Sequence, residues 1–169
     1  MDINAENFFR PHREDSTLTG PIIVGVDIQT PENMGLILRV SSNFGCKKAY
    51  FSYTSDRQPD KKNRKIRSTA RNAFDLLPWD FCLSSDLDKI LPKDHLRIGL
   101  ETSENAKDVY QALPLPKDVV IFLGSESHGL PQNIIQKLDQ VYFIPMLGPT
   151  ISMNVTHALT SLLTLWAIK

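Results

Sequence analysis

PIIVGVDI, residues 21–28, leads into TPENMGLILRVSSNFG, residues 30–45, and then into KKAYFSYT, residues 47–54. The outer two stretches are rich in β-branched and aromatic residues and read as strands, the first of them buried. The middle stretch carries helix signals at both ends. Thr30 is a candidate N-cap, Pro31 stands in the first turn where its missing N–H costs nothing, and Gly45 is the stop. Strand, helix and strand in direct succession form a crossover unit, which returns the second strand parallel to the first.

The same alternation continues along the chain. WDFCLS (79–84), LRIGLE (96–101), DVVIFLG (118–124) and QVYFIPM (140–146) are further strand candidates. DLDKIL (86–91), ENAKDVYQAL (104–113), PQNIIQKL (131–138) and the amphipathic SMNVTHALTSLLTLWAIK (152–169) read as helices. The charged stretch DRQPDKKNRKIRSTARNAFDLLPW (56–79) is expected to be a loop with one or two short helices. The expected fold class is therefore α/β, a mostly parallel sheet flanked by helices. Residues 1–19 are polar and read as an N-terminal arm, leaving 20–169 as one domain.

Composition narrows the function. The 169 residues are 41% apolar, enough for a real core, and carry 19 charges of each sign. A neutral chain does not coat nucleic acid by overall charge, although a local basic patch stays open. Cys46 and Cys82 are far apart and form no C-x-x-C pair, so neither a disulfide framework nor a metal site is expected. The N-terminus has no apolar core, and apolar runs stop well short of the roughly 20 residues a membrane span requires. A cytoplasmic protein without membrane segments is the expectation.

In open α/β sheets, ligands bind at the carboxyl ends of strands. Three such transitions carry unusual polar residues. In the first, Asn33 and Arg39 lie six apart, close to two helical turns. Taken alone, that pair fits an ordinary helix start and an ordinary ion pair. In the second, IFLGSESHGLP (121–131), Gly124 and Gly129 reproduce the G-x-x-x-x-G frame of a phosphate loop. The Lys and Ser or Thr that should follow are Leu130 and Pro131, and a carboxylate, Glu126, stands inside the loop, where the helix that follows would stabilise it. A nucleotide-binding enzyme is disfavoured on both counts. In the third, Ser152 is a natural N-cap for the last helix, whereas Asn154 is a poor interior helix residue.

Together, NMGLILRVSSNFG, GSESHGLP and IPMLGPTISMNVTHA resemble, in that order, the signature of the SpoU/TrmH branch of SPOUT RNA methyltransferases. The resemblance spans roughly residues 22–166. It implies a C-terminal deep trefoil knot, which topology rules alone would not suggest, and a homodimer. It further implies S-adenosyl-L-methionine as cofactor and methylation of a ribose 2′-hydroxyl in RNA, tRNA being favoured over rRNA. Carried over by motif, Glu101, Leu123, Gly124, Gly129, Ile144, Pro145, Met146, Met153 and Asn154 would surround the cofactor. Glu126, Ser152 and Asn154 would shape the catalytic pocket, and Asn33 and Arg39 would face the RNA. Met153 and Thr156 depart mildly from the commoner leucine and serine.

The resemblance assigns Arg39 a part in removing the ribose proton. Arginine keeps its own proton in nearly every protein setting, so phosphate binding and stabilisation of the developing alkoxide suit it better. RNA contact also needs positive charge, and KKNRKIRSTAR supplies Lys61, Lys62, Arg64, Lys65, Arg67 and Arg71. The competing expectation is a catalytically silent RNA-binding dimer, disfavoured because Asn33, Arg39, Glu126, Ser152 and Asn154 are all present.

Overall fold

The computed structural model describes residues 18–54, 63–111 and 114–168. Most of the expected N-terminal arm, together with Lys61 and Lys62, lies outside these residues. Seven strands form one sheet: β1 (Gly20–Val26), β2 (Cys46–Tyr53), β3 (Trp79–Leu83), β4 (Leu96–Leu100), β5 (Lys107–Asp108), β6 (Val119–Leu123) and β7 (Gln140–Phe143). Their spatial order is β3-β2-β1-β6-β4-β7-β5, and every pairing is parallel. The helices are α1 (Pro31–Asn43), α2 (Asn63–Ala70), α3 (Ala73–Leu76), α4 (Leu87–Ile90), α5 (Gln132–Ile135) and α6 (Val155–Ala167).

Period-two alternation sorts the strand residues between two cores. Ile23, Ile121 and Leu123 join Met34, Ile37 and Leu38 of α1, Ile66 of α2 and Leu159, Leu162 and Leu163 of α6. Ile22, Val24, Val26, Val120 and Phe122 face the other way, against Leu87, Leu91, Leu130 and Ile134. β1 and β6 are thus buried on both faces, which is why each reads as an unbroken apolar run.

Helices α1 and α2 approach closely because Gly35 has no side chain. A Cβ there would stand 2.7 Å from the Ile66 carbonyl oxygen and 2.7 Å from Thr69 Cβ. Gly45, at φ +66°, ends α1 in the left-handed conformation that glycine adopts without cost.

Two expected helices differ. ENAKDVYQAL forms the two-residue strand β5 and a 3-10 turn over Val109–Gln111. Lys107 and Asp108 pair with Tyr142 and Phe143, so a free sheet edge competes successfully with a segment too short to hold a helix by itself. PQNIIQKL is helical only over Gln132–Ile135. Since all strands run parallel, β1, β4, β6 and β7 end at one edge of the sheet, and their following loops meet there.

Candidate functional site

The loop after β6 is a tight hairpin. Ser125 and Gly129 exchange two backbone hydrogen bonds, of 3.1 and 3.0 Å. Gly129 has φ +64°. A Cβ on Gly124 would overlap the backbone of Gly129 and Leu130, and one on Gly129 would strike the Glu101 carboxylate. Glu101, at the end of β4, accepts the Leu130 amide at 2.7 Å and the Thr102 amide at 2.8 Å. The amides of residues 125, 129 and 130 are therefore already bonded. That is a physical reason, beyond the missing lysine, why this frame does not cradle phosphate.

At the hairpin tip, Glu126 reaches a different helix from the one expected. Its carboxylate meets the start of α1, not the helix that follows it in sequence. Oε2 accepts the Gln29 amide at 3.1 Å. Oε1 accepts the Thr30 amide at 3.2 Å, the Thr30 hydroxyl at 2.6 Å and Asn33 Nδ2 at 2.7 Å. Thr30 stands at the N-cap position but makes no capping bond within its own helix. Glu126 thus supplies from a distant loop the acceptor that this helix start lacks. Partial burial pushes its carboxyl up, but the bonds from Thr30, Asn33 and Gln29 outweigh that and hold it below its ordinary value. A carboxylate engaged by four donors is a poor proton acceptor and a good anchor.

The third segment joins the same network. The N-cap of α6 is Asn154, whose Oδ1 accepts the Thr156 amide at 2.8 Å and the Thr156 hydroxyl at 2.5 Å. Ser152 therefore precedes the cap, which removes the difficulty of an asparagine inside a helix. Asn154 Nδ2 donates to Asn33 Oδ1 at 3.2 Å. Asn33, expected to face RNA, is only 8% exposed and spends both ends of its amide on Glu126 and Asn154.

Beside this network lies a cavity of about 500 Å³, lined by Glu101, Leu123, Gly124, Glu126, Gly129, Ile144, Met146, Ser152, Met153 and Asn154 among others. Of the expected cofactor residues, only Pro145 does not line it. Phe143 and Ile151 line it without having been expected, because an apolar residue in a strand or loop gives no signal beyond packing. Thr30 was also missed as a site residue, its proximity to Pro31 pointing only to a helix start.

Arg39 is exposed on α1, and no hydrogen bond or ion pair engages its side chain among the described residues. The basic segment is less uniformly available. Lys65 pairs with Glu32 at 2.5 Å and Arg67 with Asp75 at 2.6 Å, whereas Arg64 and Arg71 are exposed without such partners among the described residues. Among the described residues, no cluster of His, Cys, Asp and Glu is arranged to hold a metal ion. No helix there is long and apolar enough to cross a membrane.

The family model described as the SpoU rRNA Methylase family matches residues 20–164. The chain belongs to this family. A similar curated protein is the Mus musculus tRNA (guanosine(18)-2′-O)-methyltransferase TARBP1, 28% identical over 161 residues. That alignment covers 91% of this chain but only 10% of the mouse protein. Solved structures share the fold. An AdoMet-bound rRNA methyltransferase from Sinorhizobium meliloti superposes with a TM-score of 0.74 at 17% identity, over 95% of this chain and 68% of that one. A TrmH/SpoU tRNA modifying enzyme from A. aeolicus gives a TM-score of 0.74 at 17% identity, over 92% and 79%.

Proposed function

We propose that the chain transfers the methyl group of S-adenosyl-L-methionine to a ribose 2′-hydroxyl of RNA. The cavity beside the Glu126–Asn33–Asn154 network carries this reading. It suits the cofactor: apolar Leu123, Ile144, Met146 and Met153 can cover an adenine, and Gly124 and Gly129 let the hairpin close against Glu101 as one wall beside it. When bound, the cofactor supplies an electrophilic methyl on a sulfonium, so the protein's task is to place and activate the hydroxyl.

The residues divide that task. Glu126, Asn33 and Asn154 fix the helix that presents Arg39. Arg39 grips a substrate phosphate bidentately and stabilises negative charge developing on the ribose oxygen. Ser152, which is exposed and lines the cavity, would meet the substrate ribose beside the cofactor. Arg64, Lys65 and Arg71, with Lys61 and Lys62, extend the phosphate-binding surface, while Arg67 holds α2 to α3 through Asp75 and Phe74. The catalytic domain is residues 20–169, with 1–19 as an arm.

The reading includes the deep trefoil knot and the homodimer, both supported by membership of the SpoU family. Leu147, 99% exposed, and Ile151, 84% exposed, would gain cover from a second copy. It also includes a cytoplasmic site of action, supported by free Cys46 and Cys82. The mouse relative's activity supports tRNA as substrate, ahead of rRNA.

The deciding experiment incubates the protein with methyl-labelled S-adenosylmethionine and separate total tRNA and rRNA pools. Label is expected in tRNA, in nucleosides resistant to alkaline cleavage on their 3′ side. Cofactor binding without transfer to either pool would favour a catalytically silent RNA-binding dimer.

A further inference from the structure

We infer that Thr30 is a positioning residue that couples occupancy of the cavity to the setting of α1, and hence of Arg39. The inference rests on the reading that the cavity takes S-adenosylmethionine, and it concerns what filling the cavity does elsewhere.

Thr30 holds the position from which a threonine hydroxyl ordinarily caps its own helix, yet it makes no such bond. The hydroxyl instead donates to Glu126 Oε1 at 2.6 Å, the shortest of the four bonds that carboxylate receives. A hydroxyl bonded to a carboxylate at that distance is charge-assisted and strongly directional. Pro31 follows directly and brings no N–H, and three donors beside it, the Gln29 and Thr30 amides and the Thr30 hydroxyl, all go to Glu126. The start of α1 is thus held mainly by a side chain 96 residues away in sequence.

The chain of bonds runs on from there. Asn33 donates to the same Glu126 oxygen and accepts from Asn154, which caps α6. Glu126 and Asn154 line the cavity, while Thr30 and Asn33 do not. One part of the network therefore touches whatever fills the cavity, and the other part belongs to the helix that carries Arg39. Within one copy the wall leading to Asn154 is sparsely packed: Leu147 and Ile151 are 99% and 84% exposed, and a Cβ on Gly148 would meet nothing within 4 Å. A ligand that orders this wall fixes Asn154, then Asn33 and Glu126, and so the first turn of α1. Such coupling is reciprocal, so anything that holds α1 from outside tightens the cavity in turn.

The test uses S-adenosylhomocysteine, which occupies the cavity without donating a methyl group. Amide hydrogen exchange of a peptide covering residues 27–38 is followed with and without it, below the melting temperature of every variant. In the unmodified protein, exchange should slow by roughly tenfold, the equilibrium worth of one hydrogen bond to a charged group. Thr30→Val should bind the compound within about twofold of the unmodified protein by calorimetry, a gap small against that tenfold effect, yet lose most of the slowing. Thr30→Ser should restore it. A purely structural role would raise basal exchange in Thr30→Val but leave the ligand-induced slowing intact, and that result overturns the proposal. So does binding with unchanged exchange in the unmodified protein, which leaves the methyltransferase reading standing. Absence of any binding removes both.

Discussion

The guanidinium of Arg67 lies 4.1 Å from the centroid of the Phe74 ring. Its Nη1 also meets Asp75 Oδ2 at 2.6 Å, so this cation is committed to joining α2 to α3. Arg64, on the same helix, is exposed and has no ion-pair partner among the described residues. The two should therefore fail in different ways. Arg67→Ala is expected to cost about 1 kcal/mol of stability, from an exposed cation–π contact and a surface ion pair. Arg64→Ala should change stability by less than about 0.5 kcal/mol. It should instead flatten the plot of log affinity for total tRNA against log salt by about one unit. Urea unfolding and salt-dependent filter binding on both variants separate these outcomes, and equal salt slopes would remove Arg64 from the RNA contact.

Gly35→Ala sets two effects against each other. Alanine in place of a mid-helix glycine is worth about 1 kcal/mol in propensity. Against that, the new methyl would stand 2.7 Å from the Ile66 carbonyl oxygen and 3.0 Å from the Ala70 nitrogen, and backbone atoms of a packed helix do not yield easily. Overpacking of this kind costs about 1–3 kcal/mol. The net expectation is destabilisation by about 1 kcal/mol, seen as a lower urea midpoint. A rise in the midpoint would mean that α1 and α2 separate at little cost.

Gly124→Ala and Gly148→Ala form a matched pair. The first methyl would overlap the backbone of Gly129 and Leu130, so the hairpin must open. Affinity for S-adenosylhomocysteine should drop by at least about a hundredfold, with stability falling by a few kcal/mol. The second methyl would meet no atom within 4 Å. Its stability should stay within about 0.5 kcal/mol, since alanine mainly restricts the unfolded chain there. Calorimetry and thermal melts on the two proteins decide the matter.

The pH response of Glu126 has a definite sign. Its folded-state carboxyl sits below the ordinary value, because the bonds from Thr30, Asn33 and Gln29 outweigh partial burial. A depressed carboxyl contributes stability that is fully present above the unfolded value and lost as pH falls through the folded one. Glu126→Gln should therefore be less stable than the unmodified protein at pH 7. The gap should close as the pH is lowered beneath the usual carboxylate range, near 4. A gap that stays constant across urea titrations from pH 7 to pH 3 would show that the charge of Glu126 does not matter to folding.

Much of the fold is legible in the chain because its strands obey simple rules. Val119–Leu123 is apolar throughout and is buried on both faces. The alternation of strand and helix also points directly to parallel pairing. The second residue of a pair brought together by folding is harder to read. Nothing near Thr30 announces that its hydroxyl will meet Glu126, and nothing near Glu101 announces a bond to the Leu130 amide. Asn154 is an instructive intermediate. As an interior helix residue it made no sense, and moving the helix start from Ser152 to Val155 makes it the cap. The strand at Lys107–Asp108 was hidden for a related reason, since an edge strand two residues long is defined by its neighbour β7 rather than by its own composition.

The strand order has a consequence for how the protein is made. β6 lies between β1 and β4, although the chain reaches it only at Val119. A ribosome delivering this protein releases β1, β2 and β3 first, and their small sheet must wait with one side of β1 unpaired until residues 84–123 have been added. β1 is the apolar stretch GPIIVGV, buried along its whole length in the finished molecule. An open edge of that composition readily recruits other unfinished chains. Yield in the cell should therefore depend on how quickly translation proceeds through residues 54–118, and on chaperones that shield nascent β1 meanwhile.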